Sequence, residues 1–297
     1  MKSLRVLLVG KNTPAFFNRD NRNMGMWSYP VEQFTWEHCA PGKGFVLNRH
    51  SLSKGFDLIF HEDGGSYGDY IGGGIPVIYY AIDSTLSHEN HYLPRFKQSV
   101  QADLVLVDHD HLKRWRHPDK RNPRRLLYCV NDKVFTGEAE SRDLDIVYHC
   151  PGGKWVPGKE ERRHIRQLLH EYSQERGLTY VSGAVDLNTY ANHFARAKIV
   201  VSWSRTDSNR PHRVYDSMAS GACLVSRKLP QVSGEDWSPY YNAFDTPGDL
   251  CYLLDNIWWD ASRGNMAVAA QQFVRSHHTW AHRAKELRQI IYEEFKL

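Results

Sequence analysis

The chain has 297 residues, 41% of them apolar and 24% charged, with a formal net charge of +4. That length allows one large domain or two of ordinary size, and the mild basic excess suits an anionic small ligand without demanding nucleic acid. No run of about 18 apolar residues occurs, which excludes a transmembrane helix. The five cysteines are scattered with no C-x-x-C pair, which supports neither a zinc site nor a disulfide framework and makes a cytoplasmic setting the default.

Leu4–Val9 is a short apolar run followed by polar Lys11 and Asn12. It is too short for a secretory signal and reads as a buried first strand. Further runs follow at 57–61, 76–82, 103–107 and 125–129, rich in Val, Ile and Leu and without polar alternation. That is the pattern of parallel strands covered on both faces, with crossover helices such as 92–100 between them. The chain turns polar over 131–142, which reads as a linker.

The strand–helix pattern then restarts. Strands are expected at 144–149, 178–182, 198–203 and 222–226. Helices are expected at 158–176, 187–197 and 214–220. In the first of these, Ile165, Leu168, Leu169 and Tyr172 fall on one face, and Gly177 stops it. A final helix at 278–295 either closes the second domain or returns to the first. The fold class expected is therefore α/β with two Rossmann-like doubly wound domains. Their bounds are 1–138 and 139–278, with 279–297 as a terminal helix.

The segment from Ser202 to Ser226 carries the sharpest chemistry. A strand ends at Trp203, a polar loop follows, and Pro211 stands where a helix begins. Arg205, Arg210 and Arg213 gather at that helix start. Free backbone N–H groups and guanidinium forks together make a diphosphate cradle. Asp216, one turn in, can accept hydrogen bonds from two ribose hydroxyls. A solvated loop with an Arg213–Asp216 surface pair is the equally weighted plain alternative.

The stretch Arg213-Val214-Tyr215-Asp216-Ser217-Met218-Ala219-Ser220-Gly221 resembles the donor-binding signature of GT-B-fold glycosyltransferases, R-[VF]-[FY]-[ED]-x-[ML]-A-[SA]-G. Together with Ser276-His277-His278-Thr279-Trp280-Ala281-His282-Arg283 and Ile75–Asp83, it is most similar to the CgeB-like (spore-maturation-type) branch of the family-4-like enzymes. The resemblance implies two domains facing across a cleft (GT-B) and transfer of a sugar, of hexosyltransferase type, from a nucleotide-diphosphate sugar without a metal. The sugar nucleotide is the substrate, and no cofactor is implied.

Asp216 and Ser217 then lie at the donor, with Arg205, Gly10 and Asn12. Arg210 and Arg213 neutralise the leaving diphosphate. Asp83, at a strand end, is the first choice for the base that activates the acceptor, and a helix cap is its plain reading. His61, Asp63 and Tyr67 are acceptor-side candidates. The acceptor is left open among glycan, protein, lipid and modified DNA. Asp108-His109-Asp110 has the letters of a metal motif but reads as a helix cap, so no metal ligand is assigned.

Two other classes stay open. The first acidic position of the longer E-x7-E signature falls on Ser208 or Asn209, which fits a nucleotide- or sugar-binding protein without turnover. The basic run Lys113–Arg125, with Trp115 inside it, fits contact with nucleic acid, another anionic polymer or a lipid surface, or else a solvated loop.

Overall fold

A computed structural model describes residues 3–10, 32–39, 44–62, 68–81, 89–109, 112–150, 159–203, 210–258, 260 and 262–297. The chain divides into two compact units, one of Met1–Leu127 with Trp280–Leu297 and one of Tyr128–Thr279. The division falls after Leu127, ahead of the boundary placed at 138 from the polar composition. The reason is local: Tyr128, Cys129, Val130 and Phe135 are buried, and Val130 donates its N–H to the His278 carbonyl at 2.9 Å within the second unit. The helix at 280–295 groups with the first unit.

The first unit is built on a parallel six-stranded sheet. Its strands are β1 (Leu4–Val9), β2 (Phe34–Cys39), β4 (Leu58–Glu62), β6 (Val77–Ala81), β7 (Leu104–Val107) and β8 (Arg124–Arg125), in the order β2-β1-β4-β6-β7-β8. The central β4, β6 and β7 carry unbroken runs of buried apolar side chains, as expected for parallel strands packed on both faces. A second, two-stranded parallel sheet pairs β3 (Phe45–Asn48) with β5 (Gly68–Ile71). Helices α1 (Arg49–Leu52), α2 (Glu89–Ser99) and α8 (Trp280–Phe295) complete the unit. The run expected as a strand at 125–129 is strand only at 124–125. Leu126 instead gives its carbonyl to the Tyr80 hydroxyl at 2.9 Å.

The second unit has a parallel five-stranded sheet in the order β10-β9-β11-β12-β13. Its strands are β9 (Leu144–Tyr148), β10 (Tyr180–Ser182), β11 (Ala197–Ser202), β12 (Cys223–Arg227) and β13 (Asn242–Phe244). The helices are α3 (Lys159–Arg176), α4 (Leu187–Arg196), α5 (His212–Ala219), α6 (Pro247–Trp258) and α7 (Ser262–His277). Its core joins Ile146 and Tyr148 of β9 to Ile199 and Val201 of β11, and to Ile165 and Leu169 of α3. This places the carboxyl ends of β9, β10 and β11 beside the start of α5, where doubly wound sheets bind ligands.

Candidate functional site

Helix α5 is short, amphipathic and held from behind. It begins after Pro211, whose backbone is extended (φ −68°, ψ 154°) and which offers no side-chain cap. The first amides of the helix therefore have no side-chain acceptor at that position. The other end is closed. Gly221 takes φ +71°, a left-handed conformation that stops the helix. The Arg142 guanidinium donates to the Ser220 carbonyl at 2.6 Å and the Ala197 carbonyl at 2.7 Å, while Gln271 and Arg275 donate to the Ala219 carbonyl at 2.9 and 3.1 Å. A Cβ on Gly221 would stand 2.8 Å from Arg142 Nη2, so the capping arginine needs glycine there. Cations at the carboxyl end and an amino end without a side-chain cap at Pro211 leave α5 electrostatically suited to an anion at its start.

Asp216 is buried on this helix. Burial holds its carboxyl well above the usual carboxylate range, against the pull of Arg213 and a hydrogen bond from Tyr190. That bond runs from the Tyr190 hydroxyl to Oδ2 over a long 3.5 Å. Arg213 is half-buried, and its Nε is buried without a hydrogen-bond partner among the described residues. A carboxyl and a guanidinium held in this way, one turn apart, have donors and acceptors to spare for a ligand.

A wall of rings adjoins them. Tyr190 packs on Phe194 at 4.3 Å and on His149 at 5.4 Å between ring centroids. His149 follows β9 directly. Its Nδ1 lies 2.9 Å from the Gly183 carbonyl, and its Nε2 lies 2.9 Å from Nδ1 of His193. A carbonyl only accepts, so Nδ1 of His149 carries the proton and Nε2 accepts from His193. Burial pushes the His149 pKa down to about 4, so the ring is neutral near pH 7. Sequence reasoning missed Tyr190, His149 and His193. Each is an isolated aromatic or His with no motif around it, and only the sheet order brings them to Asp216.

Two of the residues assigned to the donor are placed differently. Arg210 does not face a ligand: its side chain is 1% exposed. The guanidinium donates to Glu235 at 2.9 Å, the Pro230 carbonyl at 3.2 Å and the Val232 carbonyl at 3.1 Å, and lies 4.2 Å from the Trp237 ring. Those contacts use the fork that was expected to grip phosphate. Arg210→Ala is therefore expected to cost about 3–5 kcal/mol of stability, the usual toll for breaking a buried pair. Urea unfolding reads this, and a variant as stable as the parent would return Arg210 to the donor. Ser217 is fully buried and donates to the Val214 carbonyl at 3.1 Å, within its own helix, so it has no surface to offer a ligand.

In the first unit, His61 is likewise no acceptor-side base. It is fully buried in β4, with Nδ1 2.9 Å from the Tyr70 hydroxyl and its ring against Phe45 and Tyr79. Gly10 ends β1, donates to the Cys39 carbonyl and lies beside Glu62. Asn12, Asp63, Tyr67, Asp83 and Arg205 lie outside the described residues. Among the described residues, no group of three or more His, Cys, Asp or Glu side chains is arranged to hold a metal ion. None of the described helices is long and apolar enough to cross a membrane.

Comparison with known proteins bears on the fold and the family. No curated protein sequence matches the chain. Solved structures do match in fold. Sucrose-phosphate synthase from Thermosynechococcus elongatus superposes with a TM-score of 0.65 at 13% identity, over 99% of each chain. An alpha-glucosyltransferase in complex with UDP-glucose and DNA containing an abasic site gives 0.63 at 11% identity, over 98% of this chain and all of the other. Anabaena Alr3699/HepE in complex with UDP gives 0.63 at 10% identity with the same coverage. The fold is that of GT-B glycosyltransferases. Residues 135–289, more than half of the chain, match the family model described as glycosyl transferase-like, and the chain belongs to that family.

Proposed function

We propose that the protein is a hexosyltransferase of the CgeB-like branch that uses a UDP-sugar and needs no metal. The observation that carries this is the buried Asp216 beside Arg213, at the uncapped start of α5 and the carboxyl ends of β9 and β11. Two of these structural neighbours, the alpha-glucosyltransferase and HepE, carry UDP-glucose or UDP in their complexes, which favours uridine as the nucleotide.

In this reading Asp216 accepts the ribose hydroxyls, and Tyr190 steadies its carboxyl. The sugar departs from its diphosphate, whose growing charge is met by Arg213, Arg205 and the α5 amides. A divalent cation is then not needed for that charge. Asp83 takes the proton of the acceptor hydroxyl. The five cysteines, scattered along the chain with no C-x-x-C pair, suit a reducing, cytoplasmic setting.

The test is a thermal-shift screen with UDP, GDP, dTDP and CDP and their common sugars, each with and without EDTA. UDP and its sugars are expected to raise the melting temperature, by an amount that EDTA does not alter. At a ligand concentration of about 100 times Kd, the gain is about 2.7 kcal/mol. No shift with any nucleotide would overturn the donor reading and favour a non-catalytic or nucleic-acid role, and loss of the shift in EDTA would overturn metal independence.

A further inference from the structure

The basic run at 113–125 has no part in the donor site, and the structure splits it in two. Arg121 donates to the Glu294 carbonyl at 2.8 Å and lies 4.6 Å over Phe295. Arg124 pairs with Glu293 and Glu294, both at 2.7 Å. These two cations fasten α8 to the edge of its own sheet. Arg125, beside Arg124 in the same strand, is half-buried, and the remaining four, Lys113, Arg114, Arg116 and Lys120, are exposed. Asp119 is the one acid among residues 112–121.

The segment that carries the four cations packs on α2 through Trp115 and His117. Trp115, in the 3-10 turn Leu112–Trp115, packs edge-on against Tyr92 at 5.3 Å, and His117 packs on Phe96 at 4.6 Å. His117 Nε2 also meets the Ser99 hydroxyl at 3.0 Å. The Arg114 guanidinium sits 5.1 Å over the Tyr92 ring. Burying Trp115 and His117 against α2 turns their charged neighbours outward. Leu93 and Lys97 of α2 and Val100, which directly follows the helix and donates its N–H to the Phe96 carbonyl at 3.2 Å, are spaced i, i+4, i+7, the spacing of one helix face. All three are exposed, Leu93 at 47% and Val100 at 44%. Leu93 and Val100 each directly follow a residue that the basic segment touches, Tyr92 and Ser99, so exposed apolar side chains stand beside the cations.

We infer that this surface docks the protein on an anionic lipid bilayer. The cations sit in the field of acidic headgroups, and Leu93 and Val100 enter the boundary between headgroups and acyl chains. A nucleic-acid surface would use its aromatic as a stacking platform, and here that aromatic, Trp115, is 1% exposed.

Cosedimentation with phosphatidylcholine vesicles, with and without about a third phosphatidylglycerol, tests the inference at about 0.1 M and 1 M salt, where the screening length falls from about 10 to 3 Å. The protein is expected to bind the anionic vesicles alone, and to leave them at high salt. Lys113→Glu with Arg116→Glu and Lys120→Glu should weaken binding at least about 100-fold, since each cation near the surface contributes about fivefold. Leu93→Ser with Val100→Ser keeps every charge and should weaken it about tenfold. Absence of binding at low salt overturns the inference. So does a Leu93→Ser/Val100→Ser protein that binds as well as the parent, or parental protein displaced from vesicles by duplex DNA, because either result describes a general polyanion surface. All five substituted side chains are exposed, and an unchanged UDP thermal shift confirms that each variant is folded.

Discussion

Arg213→Ala is expected to lower turnover of the UDP-sugar about 100- to 1,000-fold, the range for removing one donor aimed at transition-state charge. The melting temperature should stay close to that of the parent. The two effects separate because Arg213 has little structural employment: it is half-buried, and its Nε meets no acceptor among the described residues. Among the described residues its Nε holds no bond that the substitution would delete, and the charge it takes away faces an Asp216 carboxyl that burial already disposes to protonation. Donor hydrolysis under single-turnover conditions reads the chemical step without knowledge of the acceptor. Arg213→Lys keeps the charge but loses the fork, and should recover part of the loss. A rate within threefold of the parent would remove Arg213 from the reaction.

Asp216→Asn is expected to move stability and affinity in opposite directions. The carboxyl is buried, and burial raises its pKa well above the usual range. A folded-state pKa above the unfolded one contributes stability that is present below the ordinary carboxylate value and is lost as pH rises through the raised one. At neutral pH the ionised group is therefore a cost to the unliganded fold. Asparagine keeps the shape and removes that cost, so the melting temperature should rise at pH 7 and change little at pH 3. Nucleotide binding should weaken about 10- to 100-fold, which corresponds to the 1.5–3 kcal/mol of a charged hydrogen bond. Calorimetric titration with UDP reads the affinity. A variant that is no more stable and binds UDP as the parent does would dismiss Asp216 from the site.

The second unit was largely legible in the sequence. Its central strands β9, β11 and β12 are largely buried on both faces, and α3 and α5 are stopped by Gly177 and Gly221, so periodicity and punctuation agree there, whereas β13, α6 and α7 were not anticipated. β2 was missed for the converse reason. Its sequence, Phe34-Thr35-Trp36-Glu37-His38-Cys39, mixes charge with aromatics because it lies at the sheet margin with one face partly open. That Arg213 and Asp216 stand in the first turns of a helix was readable because the signature and Pro211 coincide there. Arg210 was misread because its partner Glu235 stands 25 residues away, and nothing local announces that the chain folds back. Ser217 was misread because the signature gives its position but not its direction. It projects into its own helix, toward Val214.

The buried acid also sets a proton inventory for the ligand. In the unliganded protein the Asp216 environment favours the protonated form. Ribose hydroxyls that donate to the carboxylate favour the ionised form. Loading the donor then expels a proton, and linkage makes UDP affinity climb with pH across the interval between the free and bound pKa values. Titrations in buffers of different ionisation heat would read the stoichiometry directly, as a slope of apparent binding enthalpy against buffer enthalpy. The helix that receives the nucleotide would thus report its arrival to the solvent as acid.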